Sequence, residues 1–373
     1  MQVARLPGVR RAIQAAGPIK RDVVLFDSWG GRFSDSPRAV SEELHRRGAD
    51  IEHVWVLDEA GRADAPGWAT AVRPQSTGHL QHLGRARYVV ANNSLPGYFR
   101  KRAGSTYLQT WHGTPLKRIA FDIENPTFAG AEQYLRTLRG DVAVWDLLVS
   151  PNRFSTDILR RAFDYNGEVI ETGYPRNDLL SSPRATSVRD SVRASLGIEP
   201  GQRAVLYAPT WRDHTTFSLQ LGLGEIADAL GHGYRVLIRA HQLDATRVEL
   251  SGQARVTDVS AIGDIRELYL ASDVLVTDYS SVMFDFAVTR KPMLFFTYDL
   301  DEYRDRLRGF YFDFEAEAPG PLLSTTGEVI QGLRDLDVVS ERHRSAYERF
   351  HERFCHLEDG NASVRVADAL LAA

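Results

Sequence analysis

The run Trp111-His112-Gly113-Thr114, followed by Pro115, Leu116 and Lys117, sets a histidine at the end of a strand-like segment. An imidazole placed there can take a proton from an alcohol. Thr106 to Thr110 alternate hydroxyl and apolar side chains as a short strand does, and Gly113 and Pro115 then turn the chain. A lone histidine is more often structural than catalytic, so the second one matters. It stands in Arg239-Ala240-His241-Gln242, directly after the apolar run Tyr234, Val236, Leu237, Ile238. Ligands of open α/β folds bind outside the carboxyl ends of the strands, so two strand-end histidines, His112 and His241, point to a cleft.

A further constellation is Asp273 to Phe286, which reads as a strand ending at Thr277 and then Asp278-Tyr279-Ser280-Ser281 opening a helix. Free N–H groups at a helix start attract anions, and the hydroxyls of Ser280 and Ser281 add donors, so a phosphate or diphosphate fits there. Ordinary capping by serine is the other reading. Thr210-Trp211-Arg212 follows the strand-like Ala204 to Tyr207, giving a third strand end beside Arg239 and His241. Arg212 or Arg239 suits a diphosphate because arginine grips its oxygens in a bidentate fork. A surface arginine paired with an acid is the alternative. Asp285, one turn into the helix, reaches a ribose diol or simply stabilises its own helix start.

Other matches carry less. Gly222-Leu223-Gly224 lacks a buried strand before it, so it is not a dinucleotide fingerprint. His79 and His82 share a helix turn without a further metal ligand, and no glycine-rich loop ends in Lys-Ser or Lys-Thr. Proton transfer to histidine and anion binding by arginine and hydroxyls need no metal, and none is expected to be essential.

The elements that must carry these groups alternate. Val23 to Phe26 is a buried-strand run, Gly30-Gly31 turns, and Ser36-Pro37 opens a helix through Val40 and Leu44. Strands are expected at His53 to Leu57, Tyr88 to Ala91, Thr106 to Thr110 and Leu147 to Ser150. In the second half they are expected at Ala204 to Tyr207, Arg235 to Arg239, Ala254 to Val256, Val274 to Thr277 and Pro292 to Phe296. This is the pattern of parallel sheets. At 373 residues the chain suits two domains, residues 1–188 and 189–373, with the polar stretch from Ser181-Ser182-Pro183 between them. A helix from Ser340 to Phe354 and a last one from Val364 to Leu371 follow, the last returning to the first domain.

A net charge of −4 argues against nucleic acid as a partner. The single cysteine, Cys355, excludes a disulfide framework and fits a reducing cytoplasm. No apolar run is long enough to cross a bilayer. Arg5, Arg10, Arg11, Lys20 and Arg21 precede any acid, which suits either an anionic lipid surface or a solvated terminus. Leu135, Leu138, Val142 and Trp145 have helical spacing, for a core-facing helix or for docking on lipid.

Together, Gln109 to Lys117, Ala208-Pro209-Thr210-Trp211-Arg212, Arg239-Ala240-His241 and Thr277 to Ser281 resemble the CDP-glycerol glycerophosphotransferase family of teichoic acid synthesis. Ser28-Trp29-Gly30-Gly31, Ser36-Pro37 and Tyr88 to Asn93 fit the same family. The resemblance implies a GT-B architecture, two Rossmann-like domains with parallel sheets facing across a cleft, with the nucleotide on the C-terminal one. It implies that a hydroxyl of a membrane-lipid-linked acceptor, a polyol phosphate or a sugar, attacks the polyol-bearing phosphorus of a CDP-polyol and that CMP leaves. His112 is then the general base, His241 with Arg239 faces it, and Ser280 and Ser281 hold the diphosphate. Gly113, Thr114, Thr210, Arg212, Asp278 and Asp285 complete the substrate-binding set. Such an enzyme works in the cytoplasm on the inner face of the cell membrane. A GT-B glycosyltransferase using a nucleotide sugar shares the fold but attacks carbon.

Overall fold

The computed structural model describes residues 6–124, 130–210, 219–240, 255–302 and 309–373. The chain divides into two compact units. One comprises Met1–His112, Ala120–Asp178 and Leu357–Ala373; the other comprises Gly113–Ile119 and Leu179–His356. A division at 188/189 falls inside the helix Ala185–Ser195, which lies wholly in the second unit. The stretch Ser181-Ser182-Pro183 has the composition of a linker, but the crossing comes earlier, just after the 3-10 turn Pro175–Asn177.

The sheet of the first unit is built from β1 (Lys20–Asp27), β2 (Glu52–Val56), β3 (Thr70–Val72), β4 (Ala86–Ala91), β5 (Thr106–Gln109), β6 (Leu147–Ser150) and β7 (Glu168–Glu171). Among the described residues its order is β3-β2-β1-β4-β5-β6-β7, all parallel. The second unit has β8 (Arg203–Ala208), β9 (Tyr234–Ile238), β10 (Val256–Asp258), β11 (Val274–Thr277), β12 (Met293–Phe296) and β13 (Leu322–Leu323). Its order is β10-β9-β8-β11-β12-β13, again parallel. Each sheet therefore runs outward in one direction from its first strand and in the other from its fourth. The reversal lies between β1 and β4 in one unit and between β8 and β11 in the other, which is where open α/β sheets bind ligands.

Central strands of such sheets are covered on both faces, which is why their sequences read as unbroken apolar runs. Val23, Val24, Leu25 and Phe26 are fully buried, as are Leu206 and Val274 to Val276. The three strands absent from the expectation, β3, β7 and β13, are all edge strands. They are two to four residues long and only half buried, so they carry no apolar run to recognise.

Helices fill the gaps. The last one, Ala362–Ala372, belongs to the first unit, where Val366, Ala367 and Leu370 join Val40 and Leu44 in one core. Asp178 fixes its start by accepting the N–H groups of Ala362 and Ser363 at 2.9 and 2.7 Å. Leu138, Val142 and Trp145 are buried, so the helix Ala131–Val142 faces the core, the first of the two readings of its spacing. Of the basic N-terminal residues, Arg10 and Arg11 lie on the helix Leu6–Gln14, where Ile13 is fully buried, and Lys20 and Arg21 open β1. A Cβ at Gly84 would lie 2.1 Å from the carbonyl oxygen of Ile13, so two helix backbones touch there.

The turn after β1 lies at the carboxyl end of the first sheet, beside its strand-order reversal. Gly31, at φ +157, accepts the Asp58 N–H through its carbonyl at 2.9 Å, and a Cβ at Gly61 would meet that same oxygen at 2.1 Å. Both atoms in that clash are fixed by backbone. Gly61→Ala is therefore expected to lower stability by about 1–3 kcal/mol, the usual range for overpacking. A urea unfolding curve with an unchanged midpoint would show that the contact has room to relax.

Candidate active site

β5 carries the chain to His112, where the neighbouring side chains hold the backbone in a sharp bend. Trp111 has φ +53, a conformation that costs a non-glycine residue about 1–3 kcal/mol. Three interactions hold it. The Trp111 N–H donates to Gln109 Oε1 at 2.9 Å, its indole packs edge-on against Phe163 at 4.7 Å in the core, and Arg176 Nη1 donates to the His112 carbonyl at 2.7 Å. Arg176 also pairs with Asp35 at 3.3 Å, both side chains under one-tenth exposed.

The His112 ring is partly exposed, and lies against Trp111 at 4.0 Å and Trp29 at 4.7 Å. Its Nδ1 is 2.6 Å from the Asn92 carbonyl oxygen. A carbonyl only accepts, so Nδ1 bears the proton and the lone pair of the neutral ring sits on Nε2. Nε2 has no hydrogen-bond partner among the described residues. Burial pushes the imidazole pKa below its usual 6.5; the Asn92 bond and the Asp35 carboxylate oppose that shift and Arg176 adds to it. A neutral ring with an available Nε2 is a base at neutral pH.

Asn92 does two things at once. Its backbone carbonyl orients His112, and its side-chain Oδ1 accepts the Trp29 N–H at 3.0 Å across the β1–β4 reversal. Beneath it, burial raises the Asp27 carboxyl to about 6, the Gly30 N–H at 3.1 Å working against that shift. Sequence reasoning missed Asn92, Asp35 and Arg176 as members of the site. Asn92 has the look of a strand end and Asp35 of a helix start. Arg176 follows β7, and without that edge strand in view no strand end existed on which to place it. The sequence signals were the tetrapeptide Tyr174-Pro175-Arg176-Asn177 after a glycine and the doubled Asn92-Asn93.

The second unit repeats the arrangement. Asp278, one residue beyond β11, accepts the Thr210 N–H with both carboxylate oxygens, at 2.8 and 3.1 Å, and Thr210 is two residues beyond β8. Asn92 and Trp29 hold the same positions after β4 and β1. Thr210, Arg239, Asp278, Ser280 and Ser281 thus follow the carboxyl ends of three adjacent strands, β9, β8 and β11. Arg239 donates to the Ile262 carbonyl at 2.5 Å, and burial lowers its pKa. It forms no ion pair among the described residues, contrary to the surface-pair alternative.

Ser281 stands at the N-cap of the helix Val282–Ala287 without a side-chain cap bond, and Ser280 Oγ is 3.5 Å from the Val282 N–H. Neither hydroxyl is firmly spent on capping. The helix has only six residues, so its dipole contributes little, and the Met283 and Phe284 N–H groups bond to the Ser280 and Ser281 carbonyls, so the hydroxyls matter more. Asp285 is buried within it. Gly113 and Thr114 group with the second unit although His112, one residue earlier, groups with the first; Leu116 and Arg118 in their segment bond to Tyr311 and Gly309. His241 and Arg212 lie outside the described residues.

The electrostatics of His112 give a measurable expectation. Asp35→Asn removes a nearby negative charge that favours the imidazolium, so the His112 pKa is expected to fall further below 6.5. The ring titration followed by NMR checks this, together with the Nδ1–H tautomer; a rise, or an Nε2–H tautomer, contradicts the geometry described.

A family model described as CDP-Glycerol:Poly(glycerophosphate) glycerophosphotransferase matches residues 10–372. The chain is 40% identical over 369 residues to the teichoic acid poly(glycerol phosphate) polymerase of Bacillus subtilis (strain 168), covering 95% of this chain and 49% of that one. It is 38% identical over 372 residues to the protein of the same name from Bacillus spizizenii, covering 95% and 93%. A teichoic acid ribitol-phosphate primase of the latter organism is 26% identical over 299 residues, covering 78% and 76%. The chain spans about half the length of some of the curated relatives it matches, 49% and 51% in two cases. Solved structures of the wall teichoic acid polymerase TagF, among them a histidine-to-asparagine variant soaked with CDPG, superpose with a TM-score of 0.90 at 34% identity, covering 99% of this chain and 93% of that one. Two parallel-sheet units in a GT-B-like fold, and a family match over nearly the whole chain, make it a member of the CDP-glycerol:poly(glycerophosphate) glycerophosphotransferase family.

Proposed function

We propose that this protein transfers glycerol phosphate from CDP-glycerol to a hydroxyl of a membrane-lipid-linked acceptor, releasing CMP, in the synthesis of teichoic acid or a related cell-surface polymer. The observation that carries this reading is the state of His112: Nδ1–H is engaged by the Asn92 carbonyl, the ring is neutral, and Nε2 is available. Glycerol is favoured over ribitol because the glycerol phosphate relatives are the more similar ones.

In the proposed step the acceptor oxygen attacks the glycerol-bearing phosphorus and a new O–P bond forms. The bond from that phosphorus to the bridging oxygen breaks, its electron pair leaves with CMP, and the hydroxyl proton passes to Nε2 of His112. An alcohol is a weak nucleophile at neutral pH, so a base with a pKa near or below 7 is the group that the step requires. Charge on the phosphoryl oxygens needs fixed donors. We assign that work to the second unit: Arg239, which has no carboxylate partner among the described residues, and the hydroxyls of Ser280 and Ser281. Asp278 holds the Thr210 loop, Thr210 and Asp285 line the nucleotide side, and His241 and Arg212 join them by motif position. Gly113 and Thr114 follow the base directly.

Because the acceptor is lipid-linked, we place the protein at the inner membrane surface. No helix among the described residues is long and apolar enough to cross a membrane.

CDP-glycerol with a lipid-linked acceptor is expected to yield CMP and a phosphodiester product, and His112→Ala to slow turnover by about 10²–10⁴-fold. A glycosidic product from a nucleotide sugar, or undiminished turnover in the variant, overturns the assignment. The pH profile has a definite sign. Protonation removes the lone pair of Nε2, so kcat/KM falls as the pH drops through the His112 pKa, and that limb is expected below pH 6.5. A limb above 6.5 would point to another group.

A further inference from the structure

Trp29 is held in place and yet left uncovered. Its backbone has φ +52, outside the range that L residues prefer, at a cost of about 1–3 kcal/mol. Asn92 Oδ1 accepts its N–H at 3.0 Å, and Asp35 Oδ2 accepts its indole Nε1–H at 3.2 Å. Asp35 is itself at φ +59 and tied to Arg176 at 3.3 Å. Trp29 remains 47% exposed, with its ring tilted 50° to that of His112 at 4.7 Å between centroids. Of the exposed large apolar side chains among the described residues, it is the one in ring contact with His112.

We propose that Trp29 is a substrate-binding residue whose indole face receives the carbon skeleton of the acceptor's terminal polyol unit. This rests on the glycerol phosphate transfer assigned to His112. A polyol presents C–H groups on its faces and hydroxyls at its edges, so it lays carbon on an aromatic ring while its hydroxyls turn to polar neighbours. The attacking hydroxyl must come within about 3 Å of the base, so the unit that bears it lies beside His112. Asp35 stands at the indole edge, its side chain buried and paired with Arg176, so it fixes the ring and leaves the indole face as the surface on offer. Holding the ring rigid before binding spares the ordering entropy of an exposed aromatic side chain.

The test compares wild type, Trp29→Ala and Trp29→Phe, with the acceptor varied at saturating CDP-glycerol and CDP-glycerol varied at saturating acceptor. Trp29→Ala is expected to raise the acceptor KM about tenfold or more, on the scale of a buried aromatic anchor, with the CDP-glycerol KM unchanged. Trp29→Phe keeps an aromatic face and should recover most of that loss. A changed kcat or shifted pH limb with an unchanged acceptor KM would make Trp29 a support for His112 only and overturn the proposal. So would a rise confined to the CDP-glycerol KM. Thermal unfolding checks that the variants are folded. A second readout needs no turnover: a soluble glycerol phosphate oligomer, titrated without donor, should alter the tryptophan fluorescence of wild type but not of Trp29→Phe. If wild type releases no CMP yet shows this change, the functional reading fails and the binding role stands; if CMP is released and the change is absent, the reverse holds.

Discussion

Each sheet reverses its strand order once, and at that point two neighbouring loops leave the sheet in opposite directions with no strand to pair them. A single side chain closes the gap in both units. Asn92 accepts the Trp29 N–H in the first, and Asp278 accepts the Thr210 N–H in the second, at equivalent positions beyond equivalent strands. An unpaired N–H at the floor of a ligand-binding crevice costs about 1–3 kcal/mol if it is sheltered from water. The tether removes that cost and fixes the loop that bears the site. The two units differ in the group that does this. A carboxylate with two oxygens serves in the second; in the first an amide suffices, and the backbone carbonyl of the same residue is spent on His112.

Strain collects at this place in the first unit. Trp29, Asp35 and Trp111 are all non-glycine residues with positive φ, and each lies within one residue of, or in contact with, the group that holds His112. Their neighbours compensate: Gln109 on Trp111, Asn92 on Trp29, Arg176 on both Asp35 and the His112 carbonyl. The result is an imidazole whose tautomer, protonation and orientation are set before any ligand arrives. In the role proposed for His112, preorganisation of this kind makes a modest base an effective one.

Much of the fold was legible because central parallel strands are buried on both faces. Runs such as Val23 to Phe26 and Val274 to Thr277 announce themselves, and each ended within a residue or two of the observed strand. Three of the four edge strands did not announce themselves. Glu168–Glu171 begins and ends with an acid and pairs on one side only, so nothing in its composition distinguishes it from a loop. That omission hid Arg176, which follows it. His112 was legible for the opposite reason: an alternating strand delivers it to the ligand-binding end of the sheet, and the Gly-Thr-Pro turn keeps it there. Ser280 and Ser281 were legible as a helix start, but whether their hydroxyls cap that helix was not.

The sequence by itself determined the strand-helix alternation, the central strands of both sheets, the strand-end residues and the family, because burial and turn chemistry are local and leave periodic marks. Only the tertiary structure decided which chain segments each unit gathers, which carbonyl orients His112, and which residues stand against it. Asn92, Asp35 and Arg176 come from positions up to 141 residues apart, and hydrogen bonds between such positions leave no periodic trace in a single chain.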